Sequence, residues 1–152
     1  MHVDRVVIAL ASGGRHIDFI PTIMWKPFSE VVRAYPRISL EEERRLIAEA
    51  KRGSKKSREE LVLRYVNFLN HRIRRIAFPR LREQFGDDLL EEGILIIYQK
   101  IKSYNLRYRD CRGNLKPVKF SSYIWKRIDG FILDYLKKEL GGSRFQAYQK
   151  SS

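Results

Sequence analysis

The sequence predicts an all-α fold, a compact bundle of about four helices, and three observations predict it. Two Ser-x-x-Glu boxes, Ser39 to Glu42 and Ser57 to Glu60, each precede an apolar-periodic run. Such a box starts a helix by pairing its first free N–H groups. Three runs downstream repeat apolar residues at i, i+3, i+4 spacing, which places them on one face of a helix. Strand signal is confined to "RVVIAL", residues 5–10, and a strand without a pairing partner is marginal.

Taken in order, residues 1–37 form an N-terminal extension without assignment, with Met24 as an alternative start of translation. The first helix, "LEEERRLIAEAKR", follows the Ser39 cap, and Gly53 supplies a left-handed stop. The second opens at Ser57 and carries Leu61, Val62, Tyr65, Val66, Leu69, Ile73 and Ile76 in one stripe, ended by Pro79. After Gly86, Asp87 or Asp88 caps a third helix with an acidic first turn, favourable against the helix dipole. Leu90, Ile94, Ile97, Ile101 and Tyr104 form its expected buried face. Asp88, Glu92, Leu95 and Gln99 fall on another face, flanked by Glu91 and Tyr98. A polar loop with Gly113, Asn114 and Pro117 leads to the fourth helix, from about Ser121 to Leu140, broken by Gly141-Gly142. Its core positions are Phe120, Tyr123, Ile124, Ile128, Phe131, Ile132, Tyr135 and Leu136. The domain therefore spans residues 38–140, and 141–152 is expected to be a flexible tail, with Phe145 and Tyr148 as a potential docking segment.

Charge narrows the function. The 152 residues hold 31 Lys and Arg against 18 Asp and Glu, a net +13, and such an excess favours polyanions as partners. No apolar run approaches the roughly 18 residues of a membrane span, so no membrane partner is expected. The single cysteine, Cys111, and three scattered histidines give neither a disulfide nor zinc-ligand spacing. A cytoplasmic location and the absence of a metal or cofactor follow as expectations. Asp87, Asp88, Glu91 and Glu92 could in principle hold magnesium, but they lie within about one and a half turns of one helix, without ligands from a second element. No catalytic residue is assigned.

The fourth helix leaves Trp125, Lys126 and Arg127 on its polar side, after the cationic loop residues Arg107, Arg109, Arg112, Lys116 and Lys119. Residues 104–140 hold nine Lys and Arg against four acids. Cations interleaved with aromatic rings suit single-stranded nucleic acid, because charge holds phosphate while ring faces stack unpaired bases for about 1–3 kcal/mol each.

Here a family resemblance is specific. "FSSYIWKRIDGFILDYLKK" resembles the stretch F-S-T-Y-A-x-x-R-I-R-G-A-I-L-D-x-L-R of bacterial RNA polymerase sigma factors of the flagellar and stress-type branch. Phe120, Ser121, Tyr123, Arg127, Ile128, Gly130, Ile132, Leu133, Asp134 and Leu136 match. "DLLEEGILIIYQKIKSYN" is similar to the family's D-L-I-Q-E-G signature, with Asp88, Leu89, Glu92, Gly93, Ile101 and Tyr104 in register. The segment from Ile38 to Ala77 resembles the helices that precede it, so the likeness covers residues 38–140.

The resemblance implies a region 2 domain, which binds the clamp helices of core RNA polymerase and melts the minus-ten promoter element. Its polymerase-facing signature falls on Asp88, Glu91, Glu92, Leu95, Tyr98 and Gln99. Its DNA-facing signature falls on Val118, Phe120, Ser122 and Tyr123, then Lys126, Arg127, Asp129 and Gly130, with Arg112 and Lys119 adding charge. Phe120 and Tyr123 are its candidates for trapping a flipped non-template adenine, and Trp125 for the stacking wedge. Several positions depart from the pattern. The family's Trp pair is Lys126-Arg127 here, Asp129 replaces an arginine, Ile94 replaces a polar residue, and the loop 105–118 is longer. The resemblance further implies promoter DNA, especially the non-template single strand, as a partner. Because the family's second, upstream promoter-binding domain does not follow the fourth helix, three accounts are open: a shortened chain, a split factor whose second domain is a separate protein, or a short, phage-type factor. The alternative function is a basic helical nucleic-acid-binding adaptor that does not act through RNA polymerase.

Overall fold

The computed structural model describes residues 9–12, 16–19, 28–116 and 118–141. Its body is an all-α bundle of five helices: α1 Phe28–Ala34, α2 Leu40–Lys51, α3 Lys55–Ile76, α4 Pro79–Ser103 and α5 Phe120–Leu140. A short antiparallel hairpin precedes them, β1 Ala9–Ser12 and β2 His16–Phe19, with Ala9 opposite Phe19 and Ser12 opposite His16. The strand signal thus has a partner that the alternation of "RVVIAL" alone does not reveal. Residues 5–8 of that run, and the tail beyond Gly141, lie outside the described residues.

Helix α3 is the hub, packed by α1, α2, α4 and α5. Its Leu61, Val62, Val66 and Leu69 are fully buried, meeting Ile94 and Ile97 of α4 and Ile124, Ile128 and Ile132 of α5 in one core. Helix α1 adds a fully buried Val31, so the packed body begins upstream of residue 38. Gly93 lets α3 and α4 approach closely: a Cβ there would stand 2.6 Å from a Leu69 methyl.

Local chemistry corrects two expected helix starts. The α2 cap is Ser39, whose hydroxyl accepts the Glu42 N–H at 3.2 Å. The α3 cap is Ser54, three residues before the expected Ser57. Ser57 is buried and its hydroxyl donates to Glu49, while Glu60 turns outward to pair with Arg64 at 2.8 Å. Pro79 does not merely end a helix but begins one: it occupies the first turn of α4, where its missing N–H costs nothing. Gly86 is therefore buried inside a 25-residue helix rather than marking its start. Gly53 and Gly141 take positive φ at the two C-terminal ends, as their positions predict.

Helix α2 secures the loop between α4 and α5 from both sides. Lys51 Nζ donates to the carbonyls of Lys102 and Tyr104 at 2.6 and 2.8 Å, satisfying the end of α4. Arg44 donates to the Leu106 carbonyl at 3.2 Å. Lys119, the residue before α5, makes no side-chain cap. Glu43 supplies the acceptor instead, taking the Phe120 N–H at 3.0 Å.

Candidate functional site

Two exposed faces emerge from this scaffold, one on α4 and one on α5. On α4, Asp87, Asp88, Glu91, Glu92 and Gln99 are exposed, and Leu95 is half-buried among them. The spacing of 88, 92, 95 and 99 puts an apolar group in an acidic rim on one side of the helix. Asp88 accepts the Tyr135 hydroxyl of α5 at 3.1 Å. Partial burial, then the carboxylates of Asp88, Asp87 and Glu92, raise Glu91 above the ordinary carboxylate range. Burial and the Asp88 carboxylate push the Tyr135 hydroxyl up to about 12.

Tyr98 does not belong to this face. It is only 8% exposed, and its hydroxyl accepts from Arg58 of α3 at 2.6 Å. The Arg58 guanidinium also lies over the ring, 4.9 Å from its centre. Tyr98 is thus a buried strut between α3 and α4. Ile94 is likewise interior, which accounts for an apolar residue where the resemblance leads one to expect a polar one.

On α5, Ser122, Trp125 and Lys126 form one exposed stripe, while Lys119 and Arg127 flank the half-buried Tyr123 on the next. Trp125 is 40% exposed. Arg72 of α3 reaches its ring at 5.9 Å and Lys126 at 5.6 Å, so cations flank the indole. Asp129 grips Arg72 through both carboxylate oxygens, one bond measuring 2.8 Å. Asp129 therefore does not face outward as a nucleic-acid contact; it is turned to α3 and holds the arginine beside Trp125. Sequence reasoning missed Arg72, which lies 57 residues from its partner.

Phe120 takes the core position that the helical pattern predicts, and not the base-trapping role that the resemblance implies. It is fully buried, edge-on to Tyr65 at 5.1 Å and to Tyr104 at 5.5 Å, and cannot offer a ring to an incoming base. A ring at the first position of α5, directly above Tyr65 and Tyr104, is more stable in the core. Tyr123 sits at its edge: its hydroxyl meets Ser103 at 2.9 Å and Lys100 approaches its ring at 5.6 Å. Arg112 is exposed on the loop.

A cleft of about 600 Å³ opens beside the start of α5, between the α1–α2 connection and α3. Tyr35, Ile38, Arg64, Tyr65, Phe68 and Lys119 line it. Arg64 donates to the Pro36 carbonyl at 2.9 Å, tying that connection to α3. Burial, reinforced by the Glu43 carboxylate, raises the Tyr65 hydroxyl far above the ordinary phenol range. Rings and cations facing one cleft suit a flat group carrying an anion. The sequence carries no signal for it, because its lining comes from three separate stretches, residues 32–43, 64–71 and 119–121.

Among the described residues no group of three His, Cys, Asp or Glu side chains could hold a metal ion. No helix there is long and apolar enough to cross a membrane. Comparison of the chain with protein-family models, curated proteins and solved structures finds no match.

Proposed function

We propose that this chain is a transcription initiation factor that binds core RNA polymerase and recognises and melts the minus-ten promoter element. The observation that carries the reading is the pairing of two unlike faces on adjacent helices. The acidic α4 face around Leu95 is complementary to a basic, apolar coiled coil such as the polymerase clamp helices. The α5 stripe of Ser122, Trp125 and Lys126, with Lys119 and Arg127 beside it, suits an opened, single-stranded segment. The ordered resemblance over residues 38–140 supports the same assignment.

Physically, melting needs the exposed bases to be captured faster than they re-stack. A stacking surface offsets the few kcal/mol of unstacking per base, and Trp125 with its flanking cations is that surface. The cleft beside Lys119 is a second place for a displaced base to enter. Docking through α4 would bring both to the polymerase, so the free chain binds DNA weakly and prefers the non-template strand once polymerase is present.

The test is a binding assay with core RNA polymerase, followed by cross-linking to a promoter fragment with a pre-opened minus-ten segment. Stable association and cross-links to the non-template strand are expected. Salt-sensitive binding to duplex of any sequence, without polymerase association, would instead identify a basic helical adaptor.

A further inference from the structure

We propose that residues 105–116 form a pre-organised finger that grips the phosphate backbone of double-stranded nucleic acid, separately from the Trp125 surface; the proposal rests on the chain being a nucleic-acid-binding protein. The connection between α4 and α5 is built as a two-stranded turn. Asp110 N–H donates to the Asn114 carbonyl at 2.9 Å and Lys116 N–H to the Tyr108 carbonyl at 3.0 Å, with Arg109 bridged to Leu115 between them. The Asp110 carboxylate accepts the N–H groups of Arg112 and Asn114, both at 2.9 Å. Gly113 takes φ +79° at the tip, and the Arg109 guanidinium donates to its carbonyl at 2.8 Å. The root is fixed by Lys51 and Arg44 of α2.

This ordered turn presents Arg107, Arg109, Arg112 and Lys116, all exposed. Its one acid, Asp110, is occupied by backbone N–H groups, and no salt bridge neutralises the four cations among the described residues. Tyr108 and Leu115, 45% and 55% exposed, stand on the same turn. The depression at its base, lined by Leu40, Glu41, Arg44, Leu106 and Leu115, offers little ring surface for a base. Cationic side chains carried on a braced backbone are what the finger provides. A duplex displays phosphates at fixed spacing and hides its bases, so a rigid cationic finger fits it better than a flexible single strand, which is held by ring stacking.

The test is fluorescence anisotropy with the full chain and labelled duplex or single-stranded DNA across about 50–200 mM salt. The variant R107Q/R112Q/K116Q leaves the Arg109, Asp110 and Asn114 turn contacts in place. It should weaken duplex binding and reduce the slope of log K against log salt by about two to three, at about 0.9 per phosphate contact. A control of equal charge, K56Q/K137Q/K138Q, should change the slope by less than about one. Asp110→Ala makes the chain more positive but removes the turn's brace, so the finger predicts weaker duplex binding. Overturning results are an equal effect of the control, a gain of affinity in Asp110→Ala, or an equal loss of single-strand binding in the triple variant. Loss of single-strand binding in Trp125→Ala, with duplex binding kept, supports the two surfaces as separate. If Trp125→Ala instead keeps single-strand binding, the stacking role fails while the duplex measurements still judge the finger.

Discussion

The carboxylate of Glu43 on α2 accepts the backbone N–H of Phe120, 77 residues later, at the first position of α5. The other oxygen of the same carboxylate accepts the Tyr65 hydroxyl from α3. One side chain thus joins three helices and caps the helix that carries the candidate nucleic-acid face. A negative charge at a helix N-terminus is favourable against the dipole, and here it stands in for the cap that Lys119 does not provide.

Glu43→Ala should lower the stability of the fold by about 2–3 kcal/mol, since it leaves a buried hydroxyl and a helix-starting N–H without their charged acceptor. Tyr65→Phe, which removes one partner but leaves the cap, should cost about 1 kcal/mol. Urea denaturation of the two variants checks the order; a Glu43→Ala variant as stable as the parent would remove the capping role.

At Gly93, an added methyl meets both methyl groups of the fully buried Leu69, which must shift within a filled core to make room. Overpacking of a filled core costs about 1–3 kcal/mol, against a helix-propensity gain of about 1 kcal/mol for Gly to Ala. Gly93→Ala should therefore be net destabilising, seen as a lower thermal midpoint. A raised midpoint would mean that α3 and α4 are not in close contact there.

Two aromatic residues five positions apart on α5 should behave oppositely. Phe120→Ala opens the core and should cost about 3–5 kcal/mol. Trp125→Ala, at an exposed site, should cost under about 1 kcal/mol yet weaken binding to single-stranded DNA by the 1–3 kcal/mol of one stacked base. Equal stability losses would place Trp125 in the core.

Glu91 is held above the ordinary carboxylate range by partial burial and by its acidic neighbours. A carboxyl whose folded pKa exceeds its unfolded value favours folding only while protonated, and that contribution is lost as pH rises through the folded value. At neutral pH the charge therefore opposes folding. Glu91→Gln should unfold at a slightly higher temperature than the parent at neutral pH, the difference vanishing near pH 3, where both are neutral. Lower stability of the variant at neutral pH would contradict this sign.

Helix content and the main core stripes were legible in the sequence because they rest on local rules. The Ser39 cap, the Gly53 stop and the stripe from Leu61 to Ile73 each need only residues a few positions apart. Contacts across the bundle were not legible. Nothing near Lys119 signals that Glu43 caps α5, and nothing near Trp125 points to Arg72 held by Asp129. Tyr98 shows the limit from the other side. Helical spacing leaves Tyr98 at the border of a polar face, and its contact with Arg58 of α3, 40 residues away, is not legible there. Pro79 reads as a terminator in one dimension, yet its ring suits a first turn as well as it stops a last one.

In the proposed function α4 and α5 bear independent surfaces, one for a protein and one for opened DNA. The most direct test measures core RNA polymerase association and non-template single-strand binding on two variants, Glu92→Lys and Trp125→Ala, both at exposed positions. Glu92→Lys is expected to lose polymerase while the fold persists, and Trp125→Ala to keep polymerase but fail to hold the opened strand. Retained association in Glu92→Lys, or unchanged strand binding in Trp125→Ala, would contradict it.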